Sequence, residues 1–149
     1  MQVVIGSDHA GYELKEQLKE RLLDCGYAVR DIGTVSIEPV DYPDIAVEVA
    51  REVLNNEPAL GILVCGTGIG MAITANKIPG IRAAVCNDTF AARAAREHND
   101  ANILAIGARI LETESAWDIV KAFLSASFQG GRHARRVDKI RALESRYFK

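Results

Sequence analysis

A cysteine followed at once by a glycine-rich loop is the stretch of this chain best suited to chemistry. Cys65 ends an apolar run. The loop after it consists of Gly66, Thr67, Gly68, Ile69 and Gly70. Glycines let a backbone approach a ligand closely, and the helix predicted to begin near Gly70 would direct unpaired N–H groups at an anion. A thiol beside a helix N-terminus favours its thiolate form, so Cys65 is a candidate base or nucleophile. The alternative, an inert buried thiol that fills space, stays open on these residues alone.

The spacing of the glycines separates this loop from the common nucleotide-binding motifs. The pattern is G-x-G-x-G rather than the G-x-G-x-x-G of a dinucleotide site, and no Walker-type G-K-[ST] is present. The loop therefore favours phosphate or oxyanion binding over NAD or ATP.

Polar residues also follow two other predicted strands. Asp8 and His9 come after the first apolar run, and Arg109 comes after the last. Ligands of open α/β sheets bind at the carboxyl ends of the strands, which makes these three residues candidates for one cleft. For Asp8 the competing interpretation is a helix cap, a role that aspartate fills well.

A histidine near a helix end is a candidate proton donor. His98 lies at the end of the helix predicted over 89–97, and Asn99 follows it. The C-terminus of a helix favours protonated imidazole. A hydrogen-bonded core histidine is the alternative interpretation.

Two arginines head the last predicted helix. Arg132 and Arg136 are four residues apart, and the same spacing leads on to Ile140 and Leu143, which predicts that both arginines belong to an inward-facing stripe. Arginines in such a stripe need an anion, and phosphate matches their planar donors. The alternative is a solvated basic helix end that pairs with nearby acidic residues.

Composition narrows the class of protein. The 149 residues suit one domain, and a net charge of −2 gives no reason to expect nucleic-acid or membrane binding. No apolar run is long enough to span a bilayer and no signal-peptide layout is present, so the chain is expected to be cytoplasmic. Three cysteines without C-x-x-C spacing and only three histidines indicate neither a disulfide framework nor a metal centre.

Five apolar runs alternate with segments of helical periodicity. The predicted strands cover 3–5, 27–32, 62–64, 82–85 and 103–106. This alternation predicts a single three-layer α/β/α domain with a largely parallel sheet, whose carboxyl edge and helix ends bring the candidate residues into one cleft. A thiolate base, an oxyanion loop, a histidine and an arginine clamp together indicate proton abstraction next to a carbonyl in a small phosphorylated metabolite.

Six motifs occur together in one order. They are G-S-D-H-A-G-Y, D-Y-P-D, C-G-T-G-I-G, N-K-I-P-G-I-R-A-A, R-E-H-N-D-A-N-I-L and G-G-R-H-A-R-R. In this combination, over nearly the whole length, the chain resembles the type B ribose-5-phosphate isomerases. The resemblance implies a Rossmann-like domain over residues 1–149 with sheet order 2-1-3-5-4. It also implies interconversion of ribose 5-phosphate and ribulose 5-phosphate through a cis-enediolate, in the pentose phosphate pathway, without a metal or organic cofactor.

The same resemblance assigns roles to individual residues. Cys65 would move the proton between C1 and C2, the backbone of Gly66–Gly70 would hold the enediolate oxygen with the Thr67 hydroxyl nearby, and His98 would open the furanose ring. Sugar contacts are implied at Asp8 and Asn99, and phosphate contacts at His9, Arg109, Arg132 and Arg136. A homodimer, or a tetramer of two such dimers, is implied as well, with each cleft built from two subunits.

Other functions stay open at this point. Related isomerases act on allose 6-phosphate or galactose 6-phosphate, and small changes in pocket shape accommodate one more carbon. A non-catalytic sugar-phosphate sensor is disfavoured because binding alone requires neither Cys65 nor His98. A cysteine phosphatase is disfavoured too, because its C-x5-R loop requires an arginine where this chain has Met71.

Overall fold

A sheet of five parallel strands forms the centre of the molecule. The computed structural model describes residues 1–148. The strands are β1 (Gln2–Ser7), β2 (Ala28–Asp31), β3 (Leu60–Cys65), β4 (Ala83–Val85) and β5 (Ile103–Gly107). They are hydrogen-bonded in the order β2-β1-β3-β5-β4, and every pairing is parallel. The predicted sheet order is therefore confirmed.

Helices cover both faces of this sheet. The α-helices are α1 (Tyr12–Asp24), α2 (Tyr42–Asn55), α3 (Ile69–Ala75), α4 (Thr89–Asn99), α5 (Thr113–Ser125) and α6 (Arg132–Tyr147), and a short 3-10 turn (His9–Gly11) precedes α1. One core lies between the sheet and α1, α4 and α5, and the other lies between the sheet and α2 and α3. This arrangement is the predicted three-layer α/β/α domain. None of the helices within residues 1–148 is both long enough and apolar enough to cross a membrane.

Burial explains why the central strands are continuous apolar runs. All six residues of β3 are buried, because the strand is covered on both faces, as is typical of an inner parallel strand. Successive side chains alternate between the two cores, so Val3 and Ile5 face the α1 side whereas Val4 faces α2. The edge strand β2 has no buried residue.

The last helix departs from its predicted orientation. Exposed residues make up the stripe that was expected to face inward: Arg132, Arg136, Ile140 and Leu143. Only Val137 of α6 is buried. Polar contacts attach the second half of the helix to the domain, where the Glu144 carboxylate accepts the Gly80 N–H at 3.0 Å and Arg141 lies 3.5 Å from Asp100. The apolar periodicity of α6 therefore indicates a helical face that this chain does not itself cover.

Candidate active site

A cleft of about 480 Å³ opens at the carboxyl ends of β1, β3 and β5. The predicted site residues that line it are Asp8, His9, Cys65, Gly66, Thr67, Ile69, Gly70 and Arg109. They end a strand, lie in the turn after it or begin the next helix, and parallel strands bring such residues to one edge of the sheet. The structure therefore brings this group of candidates into one cleft.

Cys65 is held at the base of the cleft by the loop that follows it. Its side chain is almost completely buried, and Sγ accepts a hydrogen bond from the N–H of Gly68 at 3.1 Å. Gly68 has a φ of 82°, and a Cβ there would lie 3.0 Å from the backbone of Ile106. The turn that brings this N–H to the sulfur therefore requires glycine. The sulfur is therefore a hydrogen-bond acceptor at the wall of the cleft.

A tyrosine side chain forms another part of the cleft wall. A Cβ on Gly70 would lie 2.5 Å from Cε1 and 3.0 Å from Oη of Tyr42, so the ring lies directly against the glycine loop. Tyr42 also lines the cleft. It was not among the predicted site residues, because an aromatic residue at the start of a helix is equally typical of packing. Its place in the D-Y-P-D motif is the signal in the sequence that points to it.

Asp8 caps a turn and also lines the cleft. Its Oδ1 accepts the N–H of Gly11 at 3.1 Å, which caps the 3-10 turn, and the residue also lines the cleft. The backbone N–H of Asp8 donates to the carbonyl of Val64 at 3.3 Å, the residue before Cys65. The two strand ends are therefore linked directly, and capping does not exclude a role in binding.

The ring of His9 is oriented by a loop that precedes α2. Its Nδ1 accepts the backbone N–H of Val40 at 3.2 Å. A neutral imidazole whose Nδ1 is an acceptor carries its proton on Nε2. His9 can therefore donate a hydrogen bond from Nε2 to an anion in the cleft.

Arg109 lies over the glycine loop, on the side of Cys65 that is opposite His9. The backbone N–H of Arg109 donates to the carbonyl of Gly66 at 3.0 Å, and a Cβ on Gly66 would lie 3.2 Å from Nη1 of the arginine. Within residues 1–148 the guanidinium forms no ion pair. Its donors are consequently available for an anionic group of a ligand.

A second group of predicted residues lies elsewhere in the molecule. None of the following lines the cleft: His98, Asn99, Arg132 and Arg136. A single chain therefore does not bring all the candidates into one cleft, and the two-subunit cleft that the resemblance implies stays a prediction. Helix α4 starts after β4 at the carboxyl edge and returns the chain to the start of β5, so its last turn lies at the amino edge. Helix α6 begins beside that turn, where the N–H of Gln129 donates to the carbonyl of Glu97 at 3.0 Å.

This second group contains a histidine that was not predicted. The rings of His98 and His133 are stacked, with centroids 4.4 Å apart and planes 13° apart. Burial lowers the pKa of His133 from its ordinary value, and the neighbouring cations His98, Arg132 and Arg136 lower it further. Its place within G-G-R-H-A-R-R was the available signal. His133 therefore packs its ring directly against that of His98.

Comparison with known proteins identifies the family. A model of the ribose/galactose isomerase family matches residues 3–140. The chain belongs to this family. It is 46% identical over 144 residues to ribose-5-phosphate isomerase B of Escherichia coli, with 97% of each chain covered. The solved ribose-5-phosphate isomerase B of Clostridium thermocellum has 54% identity and a TM-score of 0.97, with 99% of each chain covered.

The structural similarity extends to other solved relatives. A ribose 5-phosphate isomerase from Thermotoga maritima has 52% identity and a TM-score of 0.92, and the match covers 95% of this chain and 97% of that one. Membership in the ribose/galactose isomerase family makes this chain a sugar phosphate isomerase, and the resemblance to the type B enzymes is confirmed. The roles of the individual site residues stay predictions.

Proposed function

We propose that this isomerase interconverts D-ribose 5-phosphate and D-ribulose 5-phosphate through a cis-enediolate. The observation that carries the proposal is the arrangement of Cys65 between His9 and Arg109 in one cleft. The sulfur of Cys65 already accepts a hydrogen bond. The Nε2 of His9 and the guanidinium of Arg109 are available as donors to an anion. The names of the Escherichia coli and Clostridium thermocellum relatives support ribose 5-phosphate as the substrate. The reaction belongs to the pentose phosphate pathway, from which we infer a cytoplasmic location.

The proton transfer is assigned to Cys65. Its thiolate removes the proton from C2 of the open-chain aldose, the electrons move into a C1–C2 double bond, and the C1 carbonyl oxygen becomes the enediolate oxygen. The proton is returned to C1 while a carbonyl forms at C2, and the hydroxyl proton of O2 is transferred to O1. A base on one face of the substrate performs both transfers.

The glycine loop is assigned to the enediolate. Its backbone N–H groups stabilise the negative oxygen as it forms, which is the largest electrostatic contribution in reactions of this type. The Thr67 Oγ1 accepts the N–H of Ile69 at 3.3 Å, which leaves the hydroxyl proton free to donate to the substrate.

The predicted site residues that lie outside the cleft are proposed to reach it from a second copy of the chain. His98 is exposed at the amino edge, as are Arg132 and Arg136, and none of them reaches the cleft of its own chain. Apolar side chains beside the cleft are also exposed, with Ile69 at 53% and Ile73 at 59%. A homodimer would cover these side chains, bring His98 to the ring oxygen of the sugar and bring both arginines to its phosphate. Asn99, next to His98, would contact a sugar hydroxyl.

Steady-state turnover of three sugar phosphates tests the substrate and the base together. We expect ribose 5-phosphate to be isomerised in the presence of EDTA. Cys65→Ala should reduce turnover about a thousandfold or more, because the general base is lost. Cys86→Ser is the matched control, since Cys86 is buried outside the cleft and burial raises the pKa of its thiol to about 11.

The alternatives appear as distinct outcomes of the same experiment. Preference for allose 6-phosphate or galactose 6-phosphate would keep the mechanism and change the substrate. Absence of turnover with all three would favour a sugar-phosphate sensor. A fully active Cys65→Ala variant would remove Cys65 from the mechanism.

Mixing two inactive variants tests the shared cleft. If Cys65 and His98 of one cleft come from different chains, a Cys65→Ala/His98→Gln heterodimer contains one native cleft and one doubly altered cleft. Random 1:1 exchange of subunits should then restore about a quarter of the wild-type activity. If both residues of a cleft belonged to one chain, every cleft would keep a defect and mixing would restore nothing.

A further inference from the structure

A buried lysine outside the cleft holds the start of a loop. Lys15 is the only basic residue within residues 1–148 that is fully buried. Its Nζ donates to the two carboxylate oxygens of Asp31 at 2.9 and 2.8 Å and to the carbonyl of Thr34 at 2.8 Å. A buried ammonium is stable only if its donors are satisfied, and these three acceptors match its three N–H groups. Lys15 therefore connects α1 to the end of β2 and to the loop after it.

That loop, residues 33–41, is anchored at both ends. At its start the N–H of Gly33 donates to Asp31 at 3.1 Å, and Lys15 holds the Thr34 carbonyl. Its middle is not held by apolar packing, because Val35 is 87% exposed. At its far end the backbone N–H of Val40 donates to Nδ1 of His9.

The two anchors belong to one continuous segment of the chain. His9 begins the 3-10 turn, α1 follows without a break from Tyr12, and Lys15 lies in the first turns of that helix. His9 and Lys15, which are six positions apart in this segment, therefore contact opposite ends of the loop. The carbonyl that Lys15 contacts and the N–H that His9 accepts therefore lie at the two ends of one loop.

We propose that Lys15 is a positioning residue for His9. By fixing the Thr34 carbonyl it brings the Val40 N–H onto Nδ1, and the imidazole then presents its Nε2 proton to the anion in the cleft. The inference rests on the proposed function, because it takes that anion to be the phosphate group of the sugar.

A neighbouring lysine separates this role from that of an ordinary ion pair. Lys19 also contacts Asp31, with Nζ 2.8 Å from Oδ2, but no loop carbonyl is among its partners in the described part of the chain. Both lysines lie close to Glu16, at 3.2 Å from Lys15 and 3.0 Å from Lys19. Replacement of either lysine by methionine removes one positive charge next to Asp31. Only Lys15→Met also removes the hydrogen bond to the Thr34 carbonyl, while the N–H of Thr34 keeps its bond to the carbonyl of Ser7 at 3.2 Å.

The test compares Lys15→Met with Lys19→Met in the full chain. Nitrogen-15 NMR reports which ring nitrogen of His9 carries the proton, with the His9 signal assigned from a His9→Gln variant, and titration with inorganic phosphate reports the affinity of the cleft. Lys15→Met is expected to lose the single Nε2–H tautomer and to bind phosphate about three- to tenfold more weakly, the effect of one lost hydrogen bond. KM for ribose 5-phosphate should rise more than kcat falls, and Lys19→Met should match the wild type.

Retention of the wild-type tautomer and phosphate affinity in Lys15→Met would overturn the proposal, and so would equal effects of the two substitutions. If Lys15→Met does not fold, Lys15→Met/Asp31→Asn removes both charges and gives the same readouts. Neither NMR nor phosphate titration requires turnover. A wild-type protein that isomerises no sugar phosphate would therefore disprove the proposed function. The tautomer of His9 would still decide whether Lys15 is a positioning residue.

Discussion

Two sets of arginines in this molecule lie in contrasting electrostatic surroundings. One set surrounds Asp100 and consists of Arg82, Arg96 and Arg141. The Asp100 carboxylate lies 3.2 Å from Arg82, 3.0 Å from Arg96 and 3.5 Å from Arg141. Backbone carbonyls satisfy further donors, since Arg96 also donates to Ala101 at 2.7 Å. These side chains hold the end of α4 in place.

The other set has no such partner. In the part of the chain that the structure describes, no ion pair is formed by Arg109, Arg132 or Arg136. Residue type is the same in both sets, so the difference comes from the carboxylate. An arginine that meets a carboxylate within its own fold stabilises that fold, whereas one without a carboxylate has its donors available to a ligand. The donors of the second set are therefore available to a phosphate group, as the proposed function requires.

The largest effect is expected from removal of the central carboxylate. Asp100→Asn keeps a residue type that tolerates the φ of 49° at this position but leaves the partly buried arginines without their counter-charge. Burial already lowers the pKa of Arg82, which indicates an unfavourable environment for its charge. We expect the free energy of unfolding in urea to fall by about 2 to 3 kcal/mol.

Asp138→Asn is the control for this substitution. Asp138 pairs with Arg141 at 3.2 Å on the exposed surface of α6, and such pairs contribute little. Its loss should change stability by less than about 0.5 kcal/mol. Equal losses in the two variants would mean that Asp100 does not hold the arginines as described.

A smaller effect, and one on catalysis instead of stability, is expected in the second set. Arg136→Ala should raise KM for ribose 5-phosphate about tenfold, the effect of one lost charged hydrogen bond to phosphate. Arg135→Ala removes the same charge from the adjacent exposed position and should leave KM close to the wild-type value. Urea unfolding should be unchanged in both. A stability loss in Arg136→Ala without a change in KM would place Arg136 in the first set.

The smallest effect is expected at Asp31, a carboxylate that two lysines contact. Burial alone would raise the pKa of Asp31, but hydrogen bonds from Lys15 and Lys19 lower it below the ordinary value of 3.8. Its contribution to stability is therefore complete above that value and is lost as the pH falls toward the lower pKa of the folded state. We expect about 1 kcal/mol of acid-dependent destabilisation from this group.

Urea unfolding at several acidic pH values measures this contribution. The curve of Asp31→Asn should be flatter than that of the wild type below the ordinary aspartate pKa. Parallel curves for the two proteins would show that the lysines do not favour the charged form of Asp31. Such a result would also argue against the conclusion drawn from the arginines, that an ion-pair partner within the fold decides whether a charged residue stabilises the fold or is available to a ligand.

Much of the fold was predictable because its signals are local. The fully buried run of β3 and the glycine loop after it define a strand, a turn and the start of a helix without reference to the rest of the chain. The alternation of such runs with helical segments led to the α/β/α class. The order of the strands came from family resemblance and not from periodicity.

The site was predictable only where it follows strand ends. Cys65, Asp8 and Arg109 meet in one cleft because parallel strands deliver their last residues to the same edge. His98 and Arg136 lie on helices, and a helical stripe records only that one face is apolar or charged, not what covers that face. The direction of α4 between two parallel strands places its end at the opposite edge from the cleft.

By itself the sequence determined the elements, the glycine loop with its cysteine, and a chemistry of proton transfer next to an anion. Only the tertiary structure decided which charged residues find partners within the chain. It also showed that the Val40 N–H orients His9 and that His133 stacks on His98. These contacts join residues 31 and 35 positions apart, and contacts between distant residues depend on how whole elements pack, which local patterns do not specify.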